Sequence, residues 1–315
     1  MNTLELVDPE LRPLLALFPT RQLTRENLAE ARLRILPIPA PATPDVDVRE
    51  ALVRGMDDAP DIPVRIYKPS SDKPLPCIFH MHGGGFVMGS AKELAAMHRA
   101  AASALRCAIV SVDYRLAPET RFPGNMEDCY AALAWTFANA SNEGFDATCI
   151  GVMGESAGGG LAASLALMAR DRGEFSLAFQ HLIYPMLDDR TCTRIAPHPT
   201  AGEFIWPAHN NRFGWEALLG HPPGLPDVSE YAAAARAENL AGLPPAFIST
   251  GALDLFVDED IDYARRLNRA GVSVELHVYP GAFHGFTLMP DAVVASAARR
   301  DSFEALRRFV SPFSH

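Results

Sequence analysis

The chain has 315 residues, and 28 lysines and arginines against 38 aspartates and glutamates give a formal charge of −10. A hydrophobic fraction of 48% with 21% charged residues excludes a disordered chain, and 22 glycines and 26 prolines without a Gly-X-Y period exclude a collagen-like or low-complexity one. An acidic body without a Lys/Arg cluster repels phosphate backbones, so no nucleic-acid partner is expected.

Glu5, Asp8 and Glu10 fall where a secretory signal would be basic and then apolar, so none is expected. A weak helical pattern runs through Leu4, Leu11, Leu14 and Leu15. A second helix is predicted over Thr24–Leu33, with Thr24 as N-cap. Pro37, Pro39, Pro41 and Pro44 then break regular structure. Strand-like runs follow at Ala51–Met56, Ile62–Tyr67, Cys77–Met81, Cys107–Asp113, Cys149–Met153, Phe179–Tyr184, Ala246–Thr250 and Ser273–Val278. Helical runs lie at Ala91–Leu105, Met126–Ala138, Ala157–Asp171, Glu259–Ala270 and Asp291–Phe309.

Short apolar strands bracketed by helices imply an α/β fold, a mostly parallel sheet covered on both faces, with an antiparallel start where the connections are short. Residues 188–240 break the alternation and are too long for an idle loop. The domain reading is 46–187 and 241–315 as core, 188–240 as an inserted cap segment, and 1–45 as the N-terminal part of that cap. The longest stretch without charge or histidine, Ser156 to Ala169, is shorter than the ~20 residues that span a bilayer, so no membrane span is expected. Five scattered cysteines (77, 107, 129, 149, 192) without a CxxC read as buried, reduced thiols of a cytoplasmic protein.

The chemistry concentrates in three places. Gly154-Glu155-Ser156-Ala157-Gly158 fits G-x-S-x-G between a predicted strand and a predicted helix, a turn that lifts a serine hydroxyl above a sheet. His82-Gly83-Gly84-Gly85-Phe86 follows an earlier strand. Its free backbone N–H groups, with that of Ala157, suit a developing oxyanion. A serine needs a base and the base an orienting acid, which in this topology follow the serine in chain order. Among His181, His198, His209, His221, His277, His284 and His315, the base is expected to be His284. It stands in the small-residue loop 281–286 after a strand, whereas His181 and His277 lie inside strands. The acid is expected to be Asp254, at the C-terminal end of the strand Ala246–Thr250, with Asp258 as rival; Asp258 and Asp260 read as the acidic first turn of the next helix. Asp113-Tyr114-Arg115-Leu116-Ala117-Pro118-Glu119 reads as a hydrogen-bonded structural loop. There is no HExxH, no CxxC and no EF-hand loop, and neither glycine cluster fits a nucleotide-binding fingerprint, so neither a metal nor a cofactor is expected.

Over about residues 60 to 290 the sequence resembles the hormone-sensitive-lipase-like (bacterial family IV) carboxylesterases of the α/β-hydrolase fold. The resemblance rests on HGGGF at 82–86, DYRLAPE at 113–119, GESAGG at 154–159, Asp254 with Asp258-Glu259, and HGF at 284–286. It implies Ser156 as nucleophile, Asp254 as acid, His284 as base, and the N–H groups of Gly83, Gly84 and Ala157 as oxyanion hole. It also implies a cap over an acyl pocket, with Phe204, Trp206, Phe213 and Trp215 as candidate substrate-binding residues. Two departures stand out: Glu155 where many members have Asp, and Leu255-Phe256-Val257 where many have Pro-Leu-Arg. The expected function is a serine carboxylesterase hydrolysing short- to medium-chain esters, its partner a small-molecule ester, with a homodimer left open. The alternatives are hydrolysis of a lactone, amide or carbonate, and a non-catalytic small-molecule receptor on the same fold.

Overall fold

A computed structural model describes residues 2–33, 43–57, 59–289 and 291–311. Pro37, Pro39, Pro41 and His315 lie outside the described residues. Among the described residues, eight strands form one sheet: β1 (Val46–Val53), β2 (Ile62–Pro69), β3 (Leu75–Met81), β4 (Ala108–Val112), β5 (Phe145–Glu155), β6 (Gln180–Ile183), β7 (Ala246–Gly251) and β8 (Val274–Tyr279). Their order is β1-β2-β4-β3-β5-β6-β7-β8. β1 and β2 pair antiparallel, as do β2 and β4, while every other pair is parallel. This is the α/β-hydrolase arrangement, with the antiparallel start that the short first connections imply.

The helices are α1 (Arg12–Leu17), α2 (Leu28–Arg32), α3 (Ala95–Leu105), α4 (Gly124–Ala138), α5 (Ala140–Glu143), α6 (Ala157–Arg172), α7 (Ala208–Leu219), α8 (Val257–Arg269) and α9 (Val293–Val310). β4 is buried at every position, as a strand sandwiched between helices must be. α6 is buried along its first thirteen residues. Its glycines let it sit against the sheet: a Cβ on Gly158 would lie 2.0 Å from the Met81 carbonyl oxygen.

Several boundaries differ from expectation, three of them with a visible cause. β1 runs over 46–53 and not 51–56, because Val46 to Val53 pair residue for residue with β2 while Met56 turns back toward Ala59. The charged outer residues of this edge strand hide its alternation. Regular helix begins at Leu28 and not Thr24: Thr24 and Asn27 close a turn on each other, Thr24 N–H donating to Asn27 Oδ1 at 2.9 Å and Asn27 N–H to Thr24 Oγ1 at 3.4 Å. α3 begins at Ala95 and not Ala91, whose N–H donates to Asp113 at 3.1 Å.

The N-terminal segment and the insertion touch. Asn210 of α7 accepts from Leu23 N–H at 2.8 Å and donates to Arg21 O at 2.9 Å, and Ile205 N–H donates to Thr20 Oγ1 at 3.1 Å. The two ends of the insertion are clamped together, Arg236 Nε and Nη2 donating to buried Asp189 at 2.6 and 2.8 Å. The later part turns back onto α6 and α8, where Arg266 holds Ala235 O at 2.7 Å and Ser164 Oγ meets Glu230 O at 3.5 Å.

Candidate active site

Ser156 stands between the end of β5 and the first residue of α6, at φ 55° and ψ −121°. That conformation is disfavoured for any residue with a Cβ, and three backbone bonds hold it. Ser156 N–H donates to Ile183 O at 2.9 Å, and Ser156 O accepts from Gly160 N–H at 3.0 Å and Met186 N–H at 2.9 Å. His284, in the loop after β8, places Nε2 2.9 Å from Ser156 Oγ. Its Nδ1 is 2.8 Å from Asp254 Oδ2, at the turn after β7. Asp254 is fully buried, and its other oxygen accepts from Phe256 N–H at 3.0 Å. A carboxylate only accepts, so Nδ1 carries the ring proton and Nε2 is left to accept from the serine hydroxyl. Two aromatic edges wall the imidazole: Tyr184 at 4.9 Å and Phe256 at 5.1 Å between centroids. Phe256 is one of the departures after Asp254, and it fills space beside the histidine.

The glycine loop lies against the serine turn. A Cβ on Gly83 would stand 3.5 Å from Ser156 Cβ, and one on Gly84, at φ +114°, would stand 2.2 Å from Met88 O. Among the described residues none of the N–H groups of Gly83, Gly84 and Ala157 donates to another backbone group. The loop is braced from behind. His82 Nδ1–H donates to Gly83 O at 2.8 Å, its ring stacks on Tyr114 at 4.2 Å, and Tyr114 Oη–H donates to His82 O at 2.8 Å. Burial pulls the His82 pKa down to about 4, so at neutral pH the ring is an uncharged prop. The segment 113–119 does the bracing: Arg115 grips Asp128 at 2.7 and 2.8 Å, and Ala117 N–H holds Phe86 O at 3.0 Å. Glu119 meets Arg32 of α2 at 2.7 and 2.8 Å, and that guanidinium draws the Glu119 carboxyl down to about 2.

His181 and His277 are engaged elsewhere. His181 is buried against Phe247 and bonded to Ser302 at 2.8 Å; His277 pairs with Glu275 at 2.8 Å. Asp258 faces Arg194 at 3.0 Å on the surface. Asp260 stands in the acidic first turn of α8, as expected, but points inward. It is fully buried with neither oxygen in a regular hydrogen bond among the described residues, and burial beside Glu259 and Asp254 pushes its carboxyl well above the usual range. Helical phase places it inward, which charge alone did not reveal. Of the four aromatics singled out in residues 188–240, Trp206 presses on the glycine loop, since a Cβ on Gly85 would fall 2.2 Å from its ring. Phe204 packs on Phe283 at 5.8 Å, next to His284. Trp215 is fully buried against Phe86 at 5.1 Å, and Phe213 is partly buried against the main core.

A family profile described as alpha/beta hydrolase fold matches residues 78–288, most of the chain, including the glycine loop, Ser156, Asp254 and His284. The chain belongs to that family, in its hormone-sensitive-lipase-like branch. The hydrolase is 38% identical to the carboxylesterase NlhH of Mycobacterium tuberculosis, over 96% of each chain. It is 34% identical to the esterase LipI of the same organism, over 96% of this chain and 94% of the relative. Among solved structures a bacterial heroin esterase superposes with a TM-score of 0.90 at 39% identity, covering 99% of this chain and 100% of that one. Among the described residues of the hydrolase no group of three or more His, Cys, Asp or Glu could hold a metal ion, and no helix is long and apolar enough to cross a membrane.

Proposed function

We propose that the protein is a serine carboxylesterase acting on short- to medium-chain acyl esters through an acyl-enzyme. The unbroken line Asp254–His284–Ser156, at 2.8 and 2.9 Å, carries the reading. Ser156 Oγ attacks the ester carbonyl as His284 Nε2 takes its proton, and Asp254 holds the imidazolium that results. The carbonyl oxygen takes up negative charge and is received by the N–H groups of Gly83, Gly84 and Ala157. His284 returns the proton to the leaving alcohol. Water, deprotonated by the same ring, then attacks the acyl-serine and releases the acid. Every step uses groups already in place. Relatives named as carboxylesterase and esterase favour this reading over another acyl bond or a receptor without turnover.

Phe204 and Trp206 are the cap aromatics we assign to the pocket wall, because they reach the His284 loop and the glycine loop. The free edge of the sheet supports a homodimer, since β8 leaves Leu276 and Val278 exposed there. The five free cysteines fit a reducing, cytoplasmic compartment. The test is initial rates on p-nitrophenyl esters from acetyl to palmitoyl, with wild type and Ser156→Ala side by side. Turnover peaking at short chains and lost in the variant is expected. A variant that keeps the wild-type rate would sink the assignment.

A further inference from the structure

Fully buried His80 and partly buried Glu155 form a pair that the reaction above does not use. Glu155 is the residue before Ser156, at the C-terminal end of β5. Its carboxylate reaches across to β3, where Oε2 lies 2.9 Å from His80 Nε2. The other nitrogen, Nδ1, lies 2.9 Å from Ser111 Oγ on β4. His80 and Ser111 are register partners, and Met81 is paired with Gly154, so three side chains run in a row across three adjacent strands. The carboxylate can only accept, so Nε2 carries the proton and Nδ1 accepts from the Ser111 hydroxyl. Both ring nitrogens are thus satisfied in one tautomer, and His98 of α3 holds the ring edge-on at 4.2 Å.

The two strands tied by this pair end in the two halves of the site. β5 runs straight into Ser156, and β3 runs through His82 into Gly83 and Gly84. The halves are in near contact: a Cβ on Gly83 would lie 3.0 Å from Glu155 O. The separation of Ser156 from the glycine N–H groups is therefore fixed by how β3 and β5 sit relative to each other and by where Glu155 turns the chain. An error of about 1 Å in such a geometry costs on the order of a hundredfold in rate. The charged and titratable neighbours facing the pair are His98 from α3, His82 and Asp113 from the loops after β3 and β4, Tyr114 after β4, and Tyr184 after β6.

We propose that the His80–Glu155 pair is a positioning device that sets the spacing between the nucleophile turn and the oxyanion loop. Glu155 has the length to cross from β5 to His80, which gives the departure at this position a purpose. The proposal rests on the hydrolase reading, and its test separates the two.

The experiment follows phosphorylation of Ser156 by diethyl p-nitrophenyl phosphate, read by p-nitrophenol release and intact mass, alongside kcat and KM for p-nitrophenyl acetate. His80→Leu and Glu155→Ala each lower the phosphorylation rate and kcat by about ten- to a hundredfold with KM little moved. His80→Gln, which places an N–H where Nε2 stood, recovers most of the loss. The double variant His80→Leu/Glu155→Ala loses no more than the worse single one. Glu155 is partly exposed, so its variant keeps the test alive if His80→Leu does not fold. Singles within about twofold of wild type, losses that multiply in the double variant, or His80→Gln as slow as His80→Leu would each overturn the inference alone. A wild type that forms no adduct at Ser156 would overturn the hydrolase reading and this inference with it.

Discussion

In the proposed reaction Asp254 acts through one bond. Its Oδ2 fixes the proton of His284 on Nδ1, while Oδ1 is pinned by Phe256 N–H, so the carboxylate cannot rotate away. Asp254→Asn keeps the shape but offers an amide N–H to Nδ1, which then turns the ring proton toward Ser156. A drop of about 10⁴ in kcat with a near-normal unfolding midpoint is expected, measured on p-nitrophenyl acetate. At this scale most of the site was legible: serine turn, glycine loop, histidine loop and a post-strand aspartate each carry a local signature. His80 and the inward face of Asp260 were not. Their meaning depends on which residue stands across a strand or beneath a helix, and no spacing along the chain records that.

Among the elements, β5 and α6 follow directly from residue order: apolar strand, small-residue turn, small-residue helix. The insertion does not follow that way. Its ends are joined by Arg236 and Asp189, the latter fully buried and also accepting from Gly224 N–H at 2.6 Å. Removing the cation strands a buried carboxylate, which costs about 3–5 kcal/mol. Arg236→Met is expected to lower the unfolding free energy from urea titration by that amount, while Arg194→Met, at an exposed pair with Asp258, changes it by less than about 1 kcal/mol. Equal effects of the two would show that burial of Asp189 has no energetic consequence. The same insertion carries buried alanines at 232–235 and 237, whose burial is set by the helices beneath them and not by any period of their own.

For the whole molecule, the buried histidines shape stability against pH. His181 is fully buried and burial pulls its pKa to about 3, far below the ordinary histidine value. Between about pH 6.5 and pH 3 the unfolded chain binds a proton there that the folded one refuses, so stability falls as pH falls through that window. His82 and His98, whose pKa values burial also lowers, act in the same direction. The raised carboxyls of Glu259 and Asp260 act against them, because the folded state keeps protons there that the unfolded chain releases above about pH 4. A single substitution isolates one contribution. His181→Gln is expected to be less stable than wild type at pH 7.5, through loss of the stack on Phe247, and the gap should narrow by about 2 kcal/mol at pH 5. A gap that stays constant in urea titrations at the two pH values would remove His181 from the acid response.

What the sequence determined by itself is the set of short-range features. These are the order of strands and helices, the turn that bears Ser156, and the loops of Gly83–Gly85 and His284. Each rests on a local requirement such as a free N–H, a small residue or a hydroxyl at a strand end. What only the tertiary structure decided is partnership across the fold. It joins His80 to Glu155, closes Arg236 on Asp189, and seats the N-terminal segment on the His284 loop, where Leu11 and Leu14 share a core with Phe283 and Phe286. These contacts lie far apart in sequence, and the free energy that selects them comes from burial and desolvation. Both depend on the whole packed arrangement and on no single stretch of it.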